Sequence, residues 1–241
     1  PVLIDLLVRR GHWSAQPAER LRHEARAALE RESWRLHDEL AAVGAPAWSE
    51  VSERLAANHP APDDVLEECR RVWANTKEVA LAHDLVSWPD IPVEYAPVPP
   101  WTSDAAPYLY YLDYRSPAPH DEPSVDRYAV PIPGAGADDA AREAFARTWN
   151  HAAITLNHVA HHGGLGHHVQ NWHAARSPSR VGRVAAVDGA SRIGMFCGGT
   201  MAEGWACYAT ELLEEAGFLS ADERLAQQHT RVRLMVRAVV D

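Results

Sequence analysis

Cysteine is scarce in this 241-residue chain. Cys69, Cys197 and Cys207 are an odd number at wide spacing, which fits neither a disulfide framework nor a CxxC metal site and makes a reducing, cytoplasmic compartment the expectation. Long hydrophobic runs are also missing: hydrophobic residues make up 46% of the chain, yet no stretch of eighteen or more could span a bilayer. Positive charge is in deficit. With 23 Lys and Arg against 33 Asp and Glu the net charge is −10, which argues against a nucleic-acid or anionic-membrane partner. No G-x-S-x-G, P-loop or dinucleotide fingerprint is present, so serine hydrolase, NTPase and Rossmann readings have no support. Repeats, low-complexity tracts and a clear linker are absent as well, and the length suffices to bury a core without staples. We therefore expect one domain over residues 1–241. A first residue other than Met, the lack of a signal-peptide pattern and a last stretch, "RVRLMVRAVVD", that stops inside a helical pattern lead us to expect part of a longer protein.

What is present is mostly helical periodicity. Ser14 and Pro17 make a helix entry, and Leu21, Ala25, Ala28, Leu29, Leu36 and Leu40 recur near a helical stripe until Gly44 ends it. A shorter helix covers residues 49–57. A third follows Asp63, with Val65, Cys69, Val72, Trp73 and Val79 on one face. Eleven of the 17 prolines then fall between Trp88 and Gly136, interrupting the runs "VEYAPV", "YLYYLDY" and "DRYAVPI". Short, Pro-edged runs of this kind predict a small antiparallel sheet with loops over residues 89–136. Helical pattern resumes from Asp138 to Ala160, breaks at Gly163 and Gly164, and continues in "GHHVQNWHAA", "GTMAEGWACYATELLEEAG" and "ADERLAQQHTRVRLMVRAVV".

The histidines are the least ordinary feature. Six of the chain's 14 lie in "NHVAHHGGLGHHVQNWH", residues 157–173, and His151 stands just upstream. Neutral imidazole is the commonest protein ligand for Zn, Fe, Ni or Cu, and a site needs two or three on rigid elements with a carboxylate or another His. His158 and His162 are four apart, the spacing of the two imidazoles in HExxH helices, but Val159 stands where that motif has its Glu. After the glycines His167 and His168 open a second helical stretch, and either could converge with His161 or His162 across the break. The Gly-Gly-x-Gly run allows the close backbone approach that such a re-aimed helix needs.

Three strings resemble the signature blocks of a bacterial family, DUF885: "HHGGLGHHVQ" at 161–170, "EGWACYATELLEEAG" at 203–217 and "RLMVRAVVD" at 233–241. The family's blocks read HE-x-x-PGHH-x-Q, EGWALYAE-x-L and an Arg-rich C-terminal helix, and "EGWACYA" is the most specific match. The resemblance implies a mostly α, multi-helix, gluzincin-like metallopeptidase fold of which this chain is the C-terminal half. It further implies that His161 and His167 are metal ligands, with His168 a rival for His167, and that Glu203 is the carboxylate ligand, Trp205 and Tyr208 packing on its helix. Alone, a Glu near a helix start is accounted for by the helix dipole. Two departures stand out: His162 replaces the motif Glu and Leu165 replaces its Pro.

A gluzincin-type metal lowers the pKa of its bound water, and a carboxylate base takes the proton and passes it to the leaving amine. His162 could act as that base or become a third imidazole ligand. The expected cofactor is one divalent transition metal, Zn first, with Fe(II) or Mn as alternatives. The expected activity is that of a metal-dependent enzyme shifted from peptide hydrolysis to other metal-centred chemistry on a small carboxylate- or amide-bearing substrate. A zinc metallopeptidase using His162 as base, or a non-catalytic metal-binding domain, are the alternatives. Tyr111, beside Tyr110, could orient a substrate oxyanion, although aromatics in a short strand more often pack. Arg237 or Arg233 could hold a substrate carboxylate, while a solvated helix face accounts for them equally.

Overall fold

Pro17 stands at the N-cap of the longest helix, and Gly44, at φ +69°, turns the chain out of it. The computed structural model describes residues 2–102, 114–115, 118, 121, 124–134, 136–186 and 199–240. Within them the chain is mostly helical with one small sheet, and it divides into two compact units.

The first unit joins Pro1–Arg54 to Leu219–Asp241. It holds α1 (Val2–Leu6), a π-helical turn (Leu7–Gly11), α2 (Ala18–Ala42), the start of α3 (Trp48–Ala57) and α10 (Ala221–Val240). Helices α2 and α10 pack side by side. The Gln228 amide donates to the Glu32 carbonyl at 2.9 Å, Trp48 stacks on His229 with ring centroids 3.8 Å apart, and Arg54 pairs with Asp222 at 2.6 Å. Of the apolar stripe expected along α2, Ala25 and Leu36 are the buried members.

The second unit, Leu55–Phe218, contains every candidate metal ligand. Helix α4 (Val65–Ala82) buries Val65, Cys69, Val72, Thr76 and Ala80, spacings of four and three that keep one face inward. That face meets β1 (Val93–Pro97) and β3 (Asp126–Val130), where Val93, Tyr95, Tyr128 and Val130 alternate inward. Tyr95 lies opposite Tyr128 in register and stacks on it at 5.0 Å, while on the outer face Glu94 pairs with Arg127.

The sheet corrects one expectation. It is not an antiparallel insert: the order is β1-β3-β2, with β1 and β3 parallel and only the short β2 (Tyr114–Arg115) antiparallel to β3. Consecutive strand-like runs suggest hairpins, but a parallel pair is possible wherever the connection is long enough for a crossover, and residues 98–125 supply it.

After the sheet come α5 (Asp139–Thr148), a short α6 (His151–Ala153) that widens into a π-helix over Ile154–Gly163, then α7 (His167–Ala175), α8 (Arg180–Ala186) and α9 (Gly199–Glu215). Asp138 and Asn150 cap α5 and α6 by accepting from Ala141 and Ala153 amides. Among the described residues no helix is long and apolar enough to cross a membrane.

Candidate metal centre

The site grows from the π-helix. Its backbone pairs each amide with the carbonyl five residues back, a wider coil than an α-helix, so neighbouring side chains diverge less and adjacent His161 and His162 face the same space. The coil ends where Gly164 and Gly166 amides donate to the Val159 and Ala160 carbonyls, and α7 starts at His167.

Glycine is required at this break. A methyl group on Gly166 would run into the His161 carbonyl, and one on Gly163 into the Tyr95 hydroxyl. Three aromatic side chains satisfy the carbonyls that the break would otherwise leave without donors. Trp73 Nε1 donates to Gly163 at 2.9 Å, Trp205 Nε1 to Leu165 at 3.0 Å, and the Tyr95 hydroxyl to His158 at 3.2 Å.

The ligand atoms of His161, His162 and His167 lie within 4.8 Å of one another, all three rings half-buried. Ring centroids are 4.6 Å apart for His161 and His162, 4.9 Å for His161 and His167, and 5.3 Å for His162 and His167. From α9, Glu203 reaches His161 Nε2 with one carboxylate oxygen at 3.4 Å and His167 Nε2 with the other at 3.5 Å. These two imidazoles hold the Glu203 carboxyl well below the usual carboxylate range. Burial, then the neighbouring His161 and His167, pull the His162 imidazole down to about 3, so its ring is neutral, with a lone pair to give. Its Nδ1 sits 2.7 Å from the Asn157 carbonyl and must carry the proton, which leaves Nε2 as the free donor atom.

Three neutral or neutralisable imidazoles and a carboxylate fit a borderline divalent cation such as Zn. With bonds near 2.0–2.1 Å such a cation would need the rings to close by roughly an ångström from their present spacing.

The other histidines separate cleanly. His158, four residues from His162, does not join the cluster: it stacks on Trp149 at 3.7 Å, hydrogen-bonds the Tyr128 hydroxyl at 2.7 Å, and burial pushes its pKa down to about 3. His168, the rival for His167, is fully buried with Nδ1 at 2.8 Å from Asp126 Oδ2 and Nε2 at 3.1 Å from the Ile91 carbonyl. Both ring nitrogens face acceptors, so neither offers a lone pair to an ion. His151 is tied to Glu68 at 2.7 Å.

Tyr111 and Tyr110 lie outside the described residues. Arg233 and Arg237 are exposed on α10 in the first unit. Trp205 and Tyr208 share α9 with Glu203 in edge contact at 6.2 Å. Sequence reasoning missed the anchoring set of Tyr95, Trp73, Asp126 and Asn157, which carry no local motif. It also missed a cavity of about 530 Å³, its walls mostly apolar, lined by Val86, Val169, Gln170, Ala174, Met201 and Trp205.

A mostly helical protein with imidazoles from a π-helix and a following α-helix, opposed by a carboxylate from a third, is the class that fold and site define. The chain belongs to the DUF885 family, described as bacterial proteins of unknown function, which it matches over residues 7–241. Two solved structures are similar. One is named a "putative lipoprotein of unknown function" from Shewanella oneidensis, with a TM-score of 0.75, 19% identity, and coverage of 99% of this chain and 42% of that one. The other, a "putative lipoprotein" from Colwellia psychrerythraea, has a TM-score of 0.71, 16% identity, and coverage of 99% and 38%. At these identities the likeness is one of fold, and this chain spans about two fifths of their length. Among curated proteins no sequence matches significantly. The names of the two similar structures overturn the cytoplasmic expectation. Few cysteines speak to disulfides, not to location, and Cys69 is simply a buried apolar side chain.

Proposed function

We propose that this protein is a metal-dependent enzyme whose divalent transition metal, Zn before Fe(II) or Mn, is held by His161, His167 and Glu203, with His162 beside them as base or further ligand. The observation that carries the reading is the convergence of three imidazole ligand atoms within 4.8 Å, with one Glu203 carboxylate oxygen 3.4 Å from His161 and the other 3.5 Å from His167. When bound, such an ion polarises a substrate oxygen or activates water. The chain's own residues do the rest: the glycine break and its indole donors hold His161 and His167 in place, and Glu203 completes the charge.

The substrate class we propose is a small carboxylate- or amide-bearing molecule, including a short peptide. The cavity of about 530 Å³ beside α7 and α9, whose mostly apolar lining includes none of the cluster's imidazoles, is large enough for the apolar part of such a molecule. The gluzincin-like relation implied by the motif resemblance belongs to the same proposal, with His162 in place of the motif Glu. Without a carboxylate at position 162, ordinary peptide hydrolysis loses a general base that typically contributes about 10²–10⁴-fold.

The test is metal stoichiometry on protein purified without a His-tag. About one transition-metal ion per chain is expected to survive gel filtration. His161→Ala should remove it, and His83→Ala, at an exposed position outside the cluster, should retain it. Wild-type protein that neither binds nor is stabilised by Zn, Mn or Fe(II) overturns the reading.

A further inference from the structure

Position 162 is one of two places where this chain departs from the motif it resembles, and His162 has two possible roles there. A proton-shuttling base must keep its reactive nitrogen free of the ion and able to gain a proton. A ligand must present a lone pair to the ion from a fixed ring. Several observations bear on the choice.

The first is the anchor. His162 Nδ1 lies 2.7 Å from the carbonyl of Asn157, five residues back along the π-helix. A carbonyl only accepts, so Nδ1 holds the ring's proton and Nε2 the lone pair. Metal-bound histidines are oriented in just this manner, by one ring N–H donated to a carbonyl or carboxylate behind them.

The second is direction. A ring nitrogen of His162 lies within 4.8 Å of ring nitrogens of both His161 and His167, and its ring stands 4.6 and 5.3 Å from theirs. It therefore faces the same space as the two imidazoles that the motif assigns to the ion.

The third is immobility. Tyr128 packs against His162 edge-on at 6.4 Å, and that tyrosine is itself fully buried and bonded to His158. A ring held at Nδ1 and flanked by a fixed aromatic is preorganised for ligation.

Resting on the metal reading above, we propose that His162 is a metal ligand, the third imidazole of a His161, His162 and His167 set, and not a proton-shuttling base. The helix makes this possible. In an ordinary α-helix adjacent side chains diverge by about 100°, whereas the wider π-coil brings residues 161 and 162 to one ion.

The experiment is X-ray absorption on the Zn-loaded wild-type chain, with Zn titrations of His162→Ala and His162→Gln. The absorption fine structure is expected to count three imidazoles. Both variants, with far-UV circular dichroism unchanged, are expected to bind Zn more weakly by over about 100-fold, beyond the usual effect of disturbing a ligand's outer partner. A count of two imidazoles, or wild-type Zn affinity in either variant, overturns the proposal and leaves the metal reading standing. Wild-type protein that takes up no Zn overturns both. The imidazole count needs no variant, so it decides the matter even if the substitutions misfold.

Discussion

That His161 and His167 lie together was legible through the motif resemblance, since imidazole spacing and the glycine run alone left His161 or His162 and His167 or His168 open. Their neighbours were not. His158 and His168 are the same residue type at equally suggestive spacings, yet one is stacked on Trp149 and the other locked to Asp126, partners 9 and 42 residues away by number that no local pattern announces. A buried neutral His158 also has a thermodynamic signature. Its native pKa, pushed down to about 3, lies below the unfolded value near 6.5, so the unfolded chain binds the extra proton between them. Its contribution is fully present above pH 6.5 and is lost as the pH falls toward 3, at up to about 1.4 kcal/mol per pH unit. Urea unfolding of metal-free protein from pH 7 to pH 4 is expected to show this decline, and His158→Gln should make it shallower, the similarly depressed His162 supplying the remainder. An equal slope in the variant would place the titration elsewhere.

Among the elements, the helices were readable wherever apolar residues recur over several turns, as in α2 and α4. Strand existence was readable from alternation in β1 and β3. Strand order was not, because alternation within a strand does not say which neighbour it pairs with or in which direction. The π-helix was invisible for a different reason: one extra residue per turn has no compositional mark, and the α-helical spacing therefore paired His158 with His162. Where this coil ends, the glycines are fixed by space. Gly166→Ala would thrust a methyl group at the His161 carbonyl and is expected to destabilise the protein by about 1–3 kcal/mol, the usual cost of overpacking, and to weaken metal binding along with it. A thermal melt and a Zn titration check both. Gly136→Ala, where an added methyl meets nothing within 4 Å, serves as the control.

For the whole molecule, the division into two units makes a claim about where metal is felt. All four proposed ligands belong to Leu55–Phe218, on the π-helix, α7 and α9. Hydrogen exchange with and without Zn should therefore gain protection over residues 154–175 and 199–215, while α2 and α10 of the first unit exchange unchanged. Protection spread evenly over both units would show that metal binding is coupled to the entire chain.

One contact has a further consequence for anyone who would build with this protein. His168 ties the start of α7 to Asp126, the first residue of β3, and Ile91 just before β1 accepts from the same ring. The sheet is thus the abutment against which the histidine-bearing helix is braced. A version cut down to the helices alone would leave the His168 ring without its Asp126 and Ile91 partners, so a transplantable copy of this histidine cluster has to carry β1 and β3 with it.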